Sequence, residues 1–548
     1  MKRIFARLLI VAFVIVGAVG IYSEYLSADE ATYGAIHNAA DQVLPFDDIS
    51  SSFAKQEIIN LYHKKIVTGT SETSFSPTQP ITRAEFVTVL NRLLGLEPVT
   101  SSVSPFTDMK QNAWYYGAVQ AAVQLELASG TSATTFAPSK AVTRQEAAVL
   151  ISRALKQANG TPIASTVFKD SNRIADWASP AVASVYKLGL MKGDDTGRFR
   201  PTDSITREET AALIDRVLQN NKWATELESE PEERIVLGWQ YGQTTAQYQN
   251  SILKSNVNTL SPRWYFLEES GTVTDKTVTE LITWAKENNK QIWPMVGNRF
   301  DQEATHQILS NPTARNNVIN QLTALVSQYN LDGLNIDFEN VAPKDRASFT
   351  EFITLLAEKL HAQGAVLSVD VSPDLGTDWT EAFDYAALGE QADYIVMMGY
   401  DEHYGAESGA GSNASLPYVT NAVNTLLEVV PSEKVILAMP LYNRDWTLKP
   451  NGTVSSFEYI SLAQQNQMMS TYGLKPVWNK SLGQYVASYT KQSTQHKIWL
   501  EDGRSLTAKY RLTLNKKLAG TAYWHIGGES SDIWSSLRNA EKYYNYSF

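Results

Sequence analysis

The sequence predicts an α/β chain in which an all-α domain of three repeats precedes a closed (β/α)8 TIM barrel with a small α+β insertion after its seventh strand. Two patterns predict this division. Four landmarks recur in one order three times within the first 220 residues. After residue 233, short β-rich runs alternate with longer amphipathic stretches, as expected for a parallel sheet with helices between its strands. A doubly wound open sheet is the alternative to the barrel.

Composition narrows the possible functions. The chain is 43% hydrophobic and 19% charged, which is typical of a folded globular protein. A net charge of -11 argues against nonspecific nucleic-acid binding. Cysteine is absent, which excludes thiol catalysis and weakly favours a bacterial exterior. The 7 histidines show no metal-ligand spacing and no nucleotide-binding glycine loop occurs, so neither metal nor cofactor is expected.

The N-terminus is typical of an export signal. Lys2, Arg3 and Arg7 precede an apolar run over residues 8–22. This run is shorter than the roughly 20 residues of a comfortable membrane span. We therefore expect a signal peptide over residues 1–28 and a secreted protein, with an uncleaved N-terminal anchor as the alternative.

Three repeats are predicted at residues 44–98, 105–157 and 167–219. Each begins with Phe-x-Asp, passes a glycine and a Phe-x-Pro motif, and reaches Thr-Arg-x-Glu five residues after the proline. Thr-x-x-Glu is a capping box that starts a helix. Each repeat is therefore expected to form a helix, a glycine turn, a proline loop and a second helix.

The arginine of that last motif is unusual. Arg83, Arg144 and Arg207 take the first helical position, where the helix dipole disfavours a cation by roughly 0.3–1 kcal/mol. Three occurrences in register suggest an anion site beside the exposed amides. The alternative is an arginine paired with a carboxylate of a neighbouring repeat, and the residues leave both possibilities open.

These repeats resemble S-layer homology domains, which form a trimeric arrangement of helices and bind an anionic secondary cell-wall polysaccharide. The resemblance implies attachment to the wall of a Gram-positive-type bacterium, and polymer binding by one set of residues. This set is Arg83, Arg144, Arg207, Lys192, Gly69, Gly130 and Gly193. Trp114 and Trp177 match an aromatic position of the family, where the first repeat has Phe53. The groove of that repeat is therefore expected to be weaker or unused. A short linker is predicted at residues 220–233.

The barrel is predicted over residues 234–548, with its insertion at about 446–501. Eight runs rich in β-forming residues supply the strands. They are Ile235–Trp239, Thr259–Leu267, Ile292–Val296, Gly333–Glu339, Val366–Val371, Tyr394–Tyr400, Val435–Pro440 and Gly520–Ile526.

The segment at residues 331–340 is the most informative. Its period of 2 turns the apolar side chains one way, and Asn335, Asp337 and Glu339 the other. Polar groups in a barrel interior are costly unless they are hydrogen-bonded. This stack also climbs toward the C-terminal end of the strand, where barrel enzymes have their active sites. The alternative is an edge strand with one solvated polar face.

The segment resembles the Asp-x-x-Asp-x-Asp-x-Glu signature of glycoside hydrolase family 18. Tyr400-Asp401, Trp524 and Pro440-x-Tyr442 match further motifs of that family. The similarity is greatest to bacterial spore cortex-lytic and peptidoglycan-directed enzymes. Asn335 departs from the signature, which has aspartate at that position. We expect Asp337 to ionise more easily here and to couple less strongly to Glu339, because a second buried negative charge is missing.

The resemblance implies substrate-assisted catalysis, an exception to the usual pair of catalytic carboxylates. Glu339 protonates the leaving oxygen, Asp337 binds the acetamido N–H, and Tyr400 holds the acetamido oxygen. Asp401 binds the sugar and Trp524 stacks beneath it. Asn335 is a further expected substrate contact. The aromatic residues Tyr442, Trp239, Trp293 and Trp499 are expected either to contact the substrate or to pack in the core.

The sequence therefore predicts a wall-anchored, retaining glycosidase acting on β-1,4-linked, N-acetylglucosamine-containing polymers, either peptidoglycan or spore cortex. A chitinase is the alternative with the same mechanism. A catalytically silent lectin is the alternative from another class, and a passive S-layer protein is less favoured because it would not need the polar stack.

Overall fold

The computed structural model of the chain describes residues 44–157, 161–164, 166–374 and 376–548. The predicted signal at residues 1–28 lies outside them. No described helix is long and apolar enough to cross a membrane. The described residues divide into two compact units, and the boundary between Gln79 and Pro80 lies inside the first predicted repeat.

The first unit contains helix α1, Lys55–His63. Its Phe-x-Asp landmark holds its Phe-x-Pro loop. The Asp48 carboxylate accepts hydrogen bonds of 2.8 Å from the backbone N–H groups of Phe75 and Ser76. Ser76 is left-handed with φ 57°, so the loop turns sharply at this residue.

The second unit opens with the remaining helices of the repeats. These are α2 Arg83–Leu93, α3 Tyr116–Gln124, α4 Arg144–Ala154, α5 Ser179–Lys187, α6 Arg207–Leu218 and α7 Asn221–Leu227. A complete capping box starts α2, α4 and α6, as the sequence predicts. The predicted linker at 220–233 contains α7, and its Trp223 is buried. This part of the linker is therefore folded and packed.

Eight parallel strands form the barrel, and the third is split into β4 and β5. The strands are β1 Ile235–Gln240, β2 Thr259–Leu267, β4 Gln291–Ile292 with β5 Met295–Gly297, β6 Gly333–Asp337, β7 Val366–Val371, β8 Tyr394–Met398, β9 Val435–Pro440 and β15 Gly520–Ile526. β1 pairs in parallel with both β2 and β15, which closes the sheet. The predicted closed barrel is confirmed. A short strand, β3 Val273–Asp275, pairs antiparallel with β2.

Helices follow most of the barrel strands. They are α8 Thr245–Lys254, α9 Thr279–Glu287, α10 Gln302–Ser310, α11 Pro312–Tyr329, α12 Arg346–His361, α13 Asp378–Glu381, α14 Tyr385–Gln391, α15 Leu416–Leu426, α17 Gly503–Asn515 and α18 Ile533–Asn545. The outward side chains of the strands pack against them. Phe338, for example, stacks on Phe349 and Phe352 of α12 at 5.8 and 5.5 Å between ring centroids.

An α+β lobe follows the seventh barrel strand, as predicted, and begins at Tyr442, directly after β9. Its elements are β10 Tyr442–Leu448, β11 Val454–Ser461, α16 Leu462–Thr471, β12 Val477–Asn479, β13 Gln484–Lys491 and β14 Thr494–Leu500. The strands form one antiparallel sheet in the order β11-β10-β14-β13-β12.

Within the second unit, the repeats contact the last helix of the barrel. The Arg538 guanidinium makes two hydrogen bonds of 2.7 and 2.8 Å to the Glu97 carboxylate. The Lys156 ammonium donates to the carbonyl oxygens of Tyr544 and Tyr546 at 3.0 and 2.5 Å. The segments that directly follow α2 and α4 are therefore held against the barrel by direct polar contacts.

Candidate active site

The polar stack of β6 lies where the sequence places it. Leu334 and Ile336 are fully buried on the outward face, while Asn335 and Asp337 alternate with them on the inner face. Glu339 is partly buried and follows the C-terminal end of the strand. The carboxylate expected to act as the acid is therefore at the mouth of the barrel.

Asn298, which follows β5, clamps the backbone of Glu339. Its Nδ2 donates to the Glu339 carbonyl oxygen at 2.7 Å, and its Oδ1 accepts from the Glu339 N–H at 3.1 Å. A further bond of 3.0 Å from Nδ2 to the Thr305 hydroxyl fixes the amide. The sequence interpretation missed Asn298, although a polar residue at a strand end was a visible signal.

Asn335 sits at the centre of a buried hydrogen-bond network. Its Oδ1 accepts from the Trp239 indole N–H at 2.8 Å and from the Ser261 hydroxyl at 3.2 Å. Because an indole nitrogen only donates, the amide orientation is fixed. Its Nδ2 therefore donates to Asp370 at 2.6 Å and to Ser368 at 3.0 Å. Asn335 is fully buried, so the expected direct contact with substrate is wrong and its action passes through its neighbours.

Asp370, on β7, is a buried carboxylate that the sequence interpretation missed. Burial, followed by the charge of Asp337, raises its pKa well above the ordinary value. Burial also raises the pKa of Asp337 to about 7, against a lowering effect of Arg263. The pKa of Asp337 is thus raised even with asparagine at position 335, because the interior is desolvated. That an aspartate at this position would raise it further stays a prediction.

The electrostatics of Glu339 suit a proton donor. Burial raises its pKa well above the ordinary value, and the charges of Asp337 and Asp401 raise it further. A carboxyl group with a raised pKa keeps its proton to a higher pH than an exposed glutamate does. It can then deliver that proton to a leaving group at the mouth of the barrel.

Tyr400 and Asp401 follow the end of β8. Burial raises the pKa of Tyr400 well above its ordinary value, so its phenol remains a hydrogen-bond donor. Asp401 has φ 62° and accepts a hydrogen bond of 2.6 Å from Arg444 and another from the Tyr442 hydroxyl. Arg444 is buried and was missed by the sequence interpretation. Together with Tyr442, it fixes the direction of the Asp401 carboxylate.

The predicted aromatic contacts differ in position. Trp524, at the end of β15, is partly exposed, and its ring lies 5.5 Å from that of Tyr241 and 5.8 Å from that of Trp239. Trp239 is 1% exposed, so it supports Trp524 and Asn335 and is not itself a sugar platform.

Trp293 and Trp499 are also buried. Trp293 stacks on Tyr394, the first residue of β8, with 5.7 Å between ring centroids. It therefore lies at the N-terminal end of the barrel, opposite Glu339, and its predicted role in substrate binding is wrong. Trp499 lies in the sheet of the lobe, 4.5 Å beneath the Lys497 ammonium.

Comparison with known proteins shows to which families the barrel and the repeats belong. Residues 236–529 match the family model for glycosyl hydrolases family 18, and residues 45–87, 105–148 and 167–211 match that for the S-layer homology domain. The chain belongs to glycosyl hydrolases family 18. The predictions of a glycosidase and of three S-layer homology repeats are confirmed.

This family 18 chain has relatives among bacterial glycosylases. It is 28% identical over 319 residues to the uncharacterized glycosylase YvbX of Bacillus subtilis (strain 168), covering 56% of this chain and 92% of that protein. It is 26% identical over 286 residues to the cortical fragment-lytic enzyme of the same organism, covering 49% and 64%. The solved chitinase of Chromobacterium violaceum ATCC 12472 has a TM-score of 0.52 at 23% identity, covering 56% of this chain and 99% of that one, which indicates a common fold.

The arginines of the S-layer homology repeats form a ring of ion pairs. Each pairs with the capping-box glutamate of another repeat. The distances are 4.0 Å for Arg83–Glu146, 3.1 Å for Arg144–Glu209 and 2.9 Å for Arg207–Glu85. The arginines are 6–7% exposed, and Arg83 and Arg144 also donate to backbone carbonyl groups. Of the two possibilities left open by the sequence, the geometry matches pairing between repeats.

The other residues expected at the wall polymer divide into two groups. A Cβ atom on Gly69 or Gly130 would lie 2.3 or 2.4 Å from a backbone carbonyl oxygen or ring of its own repeat, and on Gly193 it would lie 3.1 Å from one, so these glycines permit tight loops. Lys192 is exposed, and so are the three matched aromatic residues. These are Phe53 at 65%, Trp114 at 67% and Trp177 at 59%. The described part of the chain contains no cluster of three side chains able to hold a metal ion.

Proposed function

We propose that this chain is a wall-anchored, retaining glycosidase that cleaves β-1,4 bonds of N-acetylglucosamine-containing wall polymers by substrate-assisted catalysis. The observation that carries the proposal is the position of Glu339 at the barrel mouth, two residues after Asp337 at the end of β6, together with a pKa that burial raises well above the ordinary value. Family 18 enzymes are an exception to the usual pair of catalytic carboxylates, because their substrate attacks with its own 2-acetamido oxygen.

In the first step, Glu339 transfers its proton to the glycosidic oxygen as the bond to the anomeric carbon breaks. The acetamido oxygen forms a new bond to that carbon and gives an oxazolinium ion. The Asp337 carboxylate accepts a hydrogen bond from the acetamido N–H and stabilises the positive charge. The Tyr400 hydroxyl donates to the acetamido oxygen and orients it.

In the second step, the Glu339 carboxylate removes a proton from water, whose oxygen bonds to the anomeric carbon and opens the ring of the intermediate. Two successive displacements retain the configuration. The mechanism requires a 2-acetamido group, so the same glycan without N-acetyl groups should not be cut.

The expected location of the enzyme supports the cell wall as its substrate. S-layer homology repeats indicate association with the cell surface, where wall polymer is the nearest glycan. A relative named as a cortical fragment-lytic enzyme points the same way. In the repeats, Lys192 and the exposed aromatic residues contact the wall polymer, and the buried arginines support the grooves from within.

Product analysis tests the substrate. Purified peptidoglycan, spore cortex and chitin are digested and the products are measured by mass spectrometry. A reducing-end N-acetylglucosamine from peptidoglycan or cortex supports the proposal, whereas turnover of chitin alone would favour the chitinase alternative.

A matched pair of variants tests the acid. Glu339→Gln should lower kcat by a factor of about 10²–10⁴ and leave binding to isolated walls unchanged. Glu303→Gln, at an exposed glutamate of α10, is the control and should retain activity. Equal activity of both variants would contradict the role of Glu339.

A further inference from the structure

Arg263 is a cation inside the barrel that the mechanism above does not use. It lies on β2 two residues after Ser261, and strand periodicity turns both side chains toward the barrel interior. Its guanidinium carbon lies 5.0 Å from the ring centroid of Tyr241, 5.5 Å from that of Phe266 and 5.9 Å from that of Trp524. Arg263 is therefore beside Trp524, the expected floor of the sugar site.

The guanidinium has no polar partner within the described parts of the chain. Its Nε is buried without a hydrogen bond, and no ion pair joins it to a carboxylate. The Nε atoms of Arg200, Arg315 and Arg444 are unpaired as well, but each of those guanidinium groups has a carboxylate partner, and Arg263 has none among the described residues. The aromatic faces around it attract the cation, but they cannot accept the directed bonds of its N–H groups.

Arg299 is the informative contrast. Its guanidinium also lies against Phe266, at 4.7 Å, but it is paired with Glu268 at 2.8 Å. Arg263 has no such carboxylate, although its positive charge reaches the catalytic centre and lowers the pKa of both Asp337 and Glu339. Of these two arginines, Arg263 is the one whose donors remain available to a bound substrate.

We propose that Arg263 binds a carboxylate carried by the substrate and thereby selects muramic acid-containing glycans over neutral N-acetylglucosamine polymers. This inference rests on the proposed function and names its substrate class. A guanidinium matches a carboxylate in a two-point, charge-assisted pair. Muramic acid carries its lactyl group, or the acidic peptide attached to it, on the sugar ring. With a sugar on Trp524, a carboxylate on that ring or its neighbour comes within reach of Arg263.

The test compares soluble glycans that differ only in the carboxyl group. The set contains muramyl glycan with its stem peptides, the same glycan stripped to free lactyl carboxylates, both after conversion of the carboxyl groups to neutral amides, and chitin oligosaccharides. Wild type should prefer the carboxylated members. Arg263→Gln should lower kcat/KM on them by a factor of about 10–100, mainly through KM. On the neutral members, with each enzyme at its own pH optimum, kcat/KM should fall by a smaller factor, so that the preference for carboxylated glycans is lost.

Two further variants complete the set. Arg263→Lys keeps the charge without the two-point geometry and should recover part of the preference. Arg299→Gln removes a cation that is already paired and should leave the preference unchanged. Loss confined to peptide-bearing glycan identifies the stem carboxylates as the anion, and loss on stripped strands as well identifies the lactyl carboxylate.

An equal loss of kcat on charged and neutral glycans would overturn the proposal, because the arginine would then act only on the pKa of the catalytic carboxyl groups. A wild type that cuts neutralised and carboxylated glycans equally well would also overturn it, while the glycosidase proposal would stand. Failure of the proposed function has a different signature, namely an inactive wild type on every N-acetylated glycan in the set.

Discussion

The S-layer homology repeats and the barrel both bury charged side chains, but they treat them in opposite ways. In the repeats, the buried Arg144 and Arg207 are each paired with a glutamate at 3.1 and 2.9 Å. At the barrel mouth, Arg444 is paired with Asp401 at 2.6 Å, but the desolvated Asp337 and Asp370, and Arg263 with its buried Nε, are included in no described ion pair. Buried charges that are neutralised in place hold an architecture together, whereas those left uncompensated indicate a site that a substrate completes.

The ring of ion pairs gives the largest expected effect on stability. Arg144→Met leaves Glu209 with Arg200, at 3.2 Å, and removes the buried bonds to the carbonyl groups of Phe199 and Lys192. Breaking a buried pair in this way should lower the free energy of unfolding by about 3 kcal/mol. Thermal unfolding measures the change, and glycosidase activity below the transition should persist.

The control for this prediction is Arg173→Met, at an exposed arginine of the third repeat. It should shift the unfolding temperature little. The double variant Arg144→Met/Glu209→Met should regain part of the loss, because the Glu209 carboxylate is removed together with Arg144, and Arg200 keeps its ion pair with Asp194 at 3.3 Å. Equal stability of Arg144→Met and wild type would show that the ring contributes nothing.

At the barrel mouth, removing a charged side chain should raise the free energy of unfolding, whereas in the repeats it lowers it. Asp337 has a folded-state pKa of about 7, raised by burial, so it binds more protons when folded than when unfolded between about pH 4 and 7. Its contribution to stability is therefore lost as pH rises through this window. Asp337→Asn should be more stable than wild type by about 2 kcal/mol at pH 8 and nearly equal to it at pH 4, while its turnover is lost. A variant that is less stable than wild type at pH 8 would contradict the comparison.

Much of the architecture was visible in the sequence because its signals are local. Strand alternation, capping boxes and repeat landmarks each lie within a few residues. The third strand was predicted as one run, Ile292–Val296, but it is split because Pro294 has no N–H for the ladder. The ring of ion pairs could not be chosen from the sequence, since Arg144 and Glu209 are 65 residues apart and meet only through the fold.

In the active site as well, the residues that belong to a local pattern were predictable and those that depend on the fold were not. Glu339 and Asp337 stand out because three polar side chains alternate on one strand. Ser368 and Asp370 show a weaker form of that alternation on β7, and this signal could have found Asp370. The environment of Arg263 is built from three separate strands or loops, and the burial of Trp293 depends on the barrel end at which it lies. Neither property is encoded in a local pattern.

A variant at the Asn335–Asp370 pair tests how an added carboxylate in the barrel interior changes the pH–rate profile, and its expected effect is smaller. Asn335→Asp replaces a donor with a carboxylate oxygen 2.6 Å from Asp370. The added negative charge should raise the pKa of both Asp337 and Glu339, so both limbs of the pH–rate profile should move to higher pH by about one unit. The double variant Asn335→Asp/Asp370→Asn exchanges donor and acceptor, and its profile should return toward that of wild type. Identical acidic limbs in wild type and Asn335→Asp would contradict this coupling.

The Asn298 clamp should give the smallest effect, because it positions a catalytic group without carrying charge. Asn298→Ala removes both bonds to the Glu339 backbone but leaves Glu339 attached to β6. We expect kcat to fall about fivefold through misplacement of the acid, while KM changes little. Asn317→Ala, at an exposed asparagine of α11 that donates to the Gly271 carbonyl, is the matched control and should preserve kcat. A change in KM with constant kcat would show that Asn298 shapes the cleft instead of holding the proton donor in place.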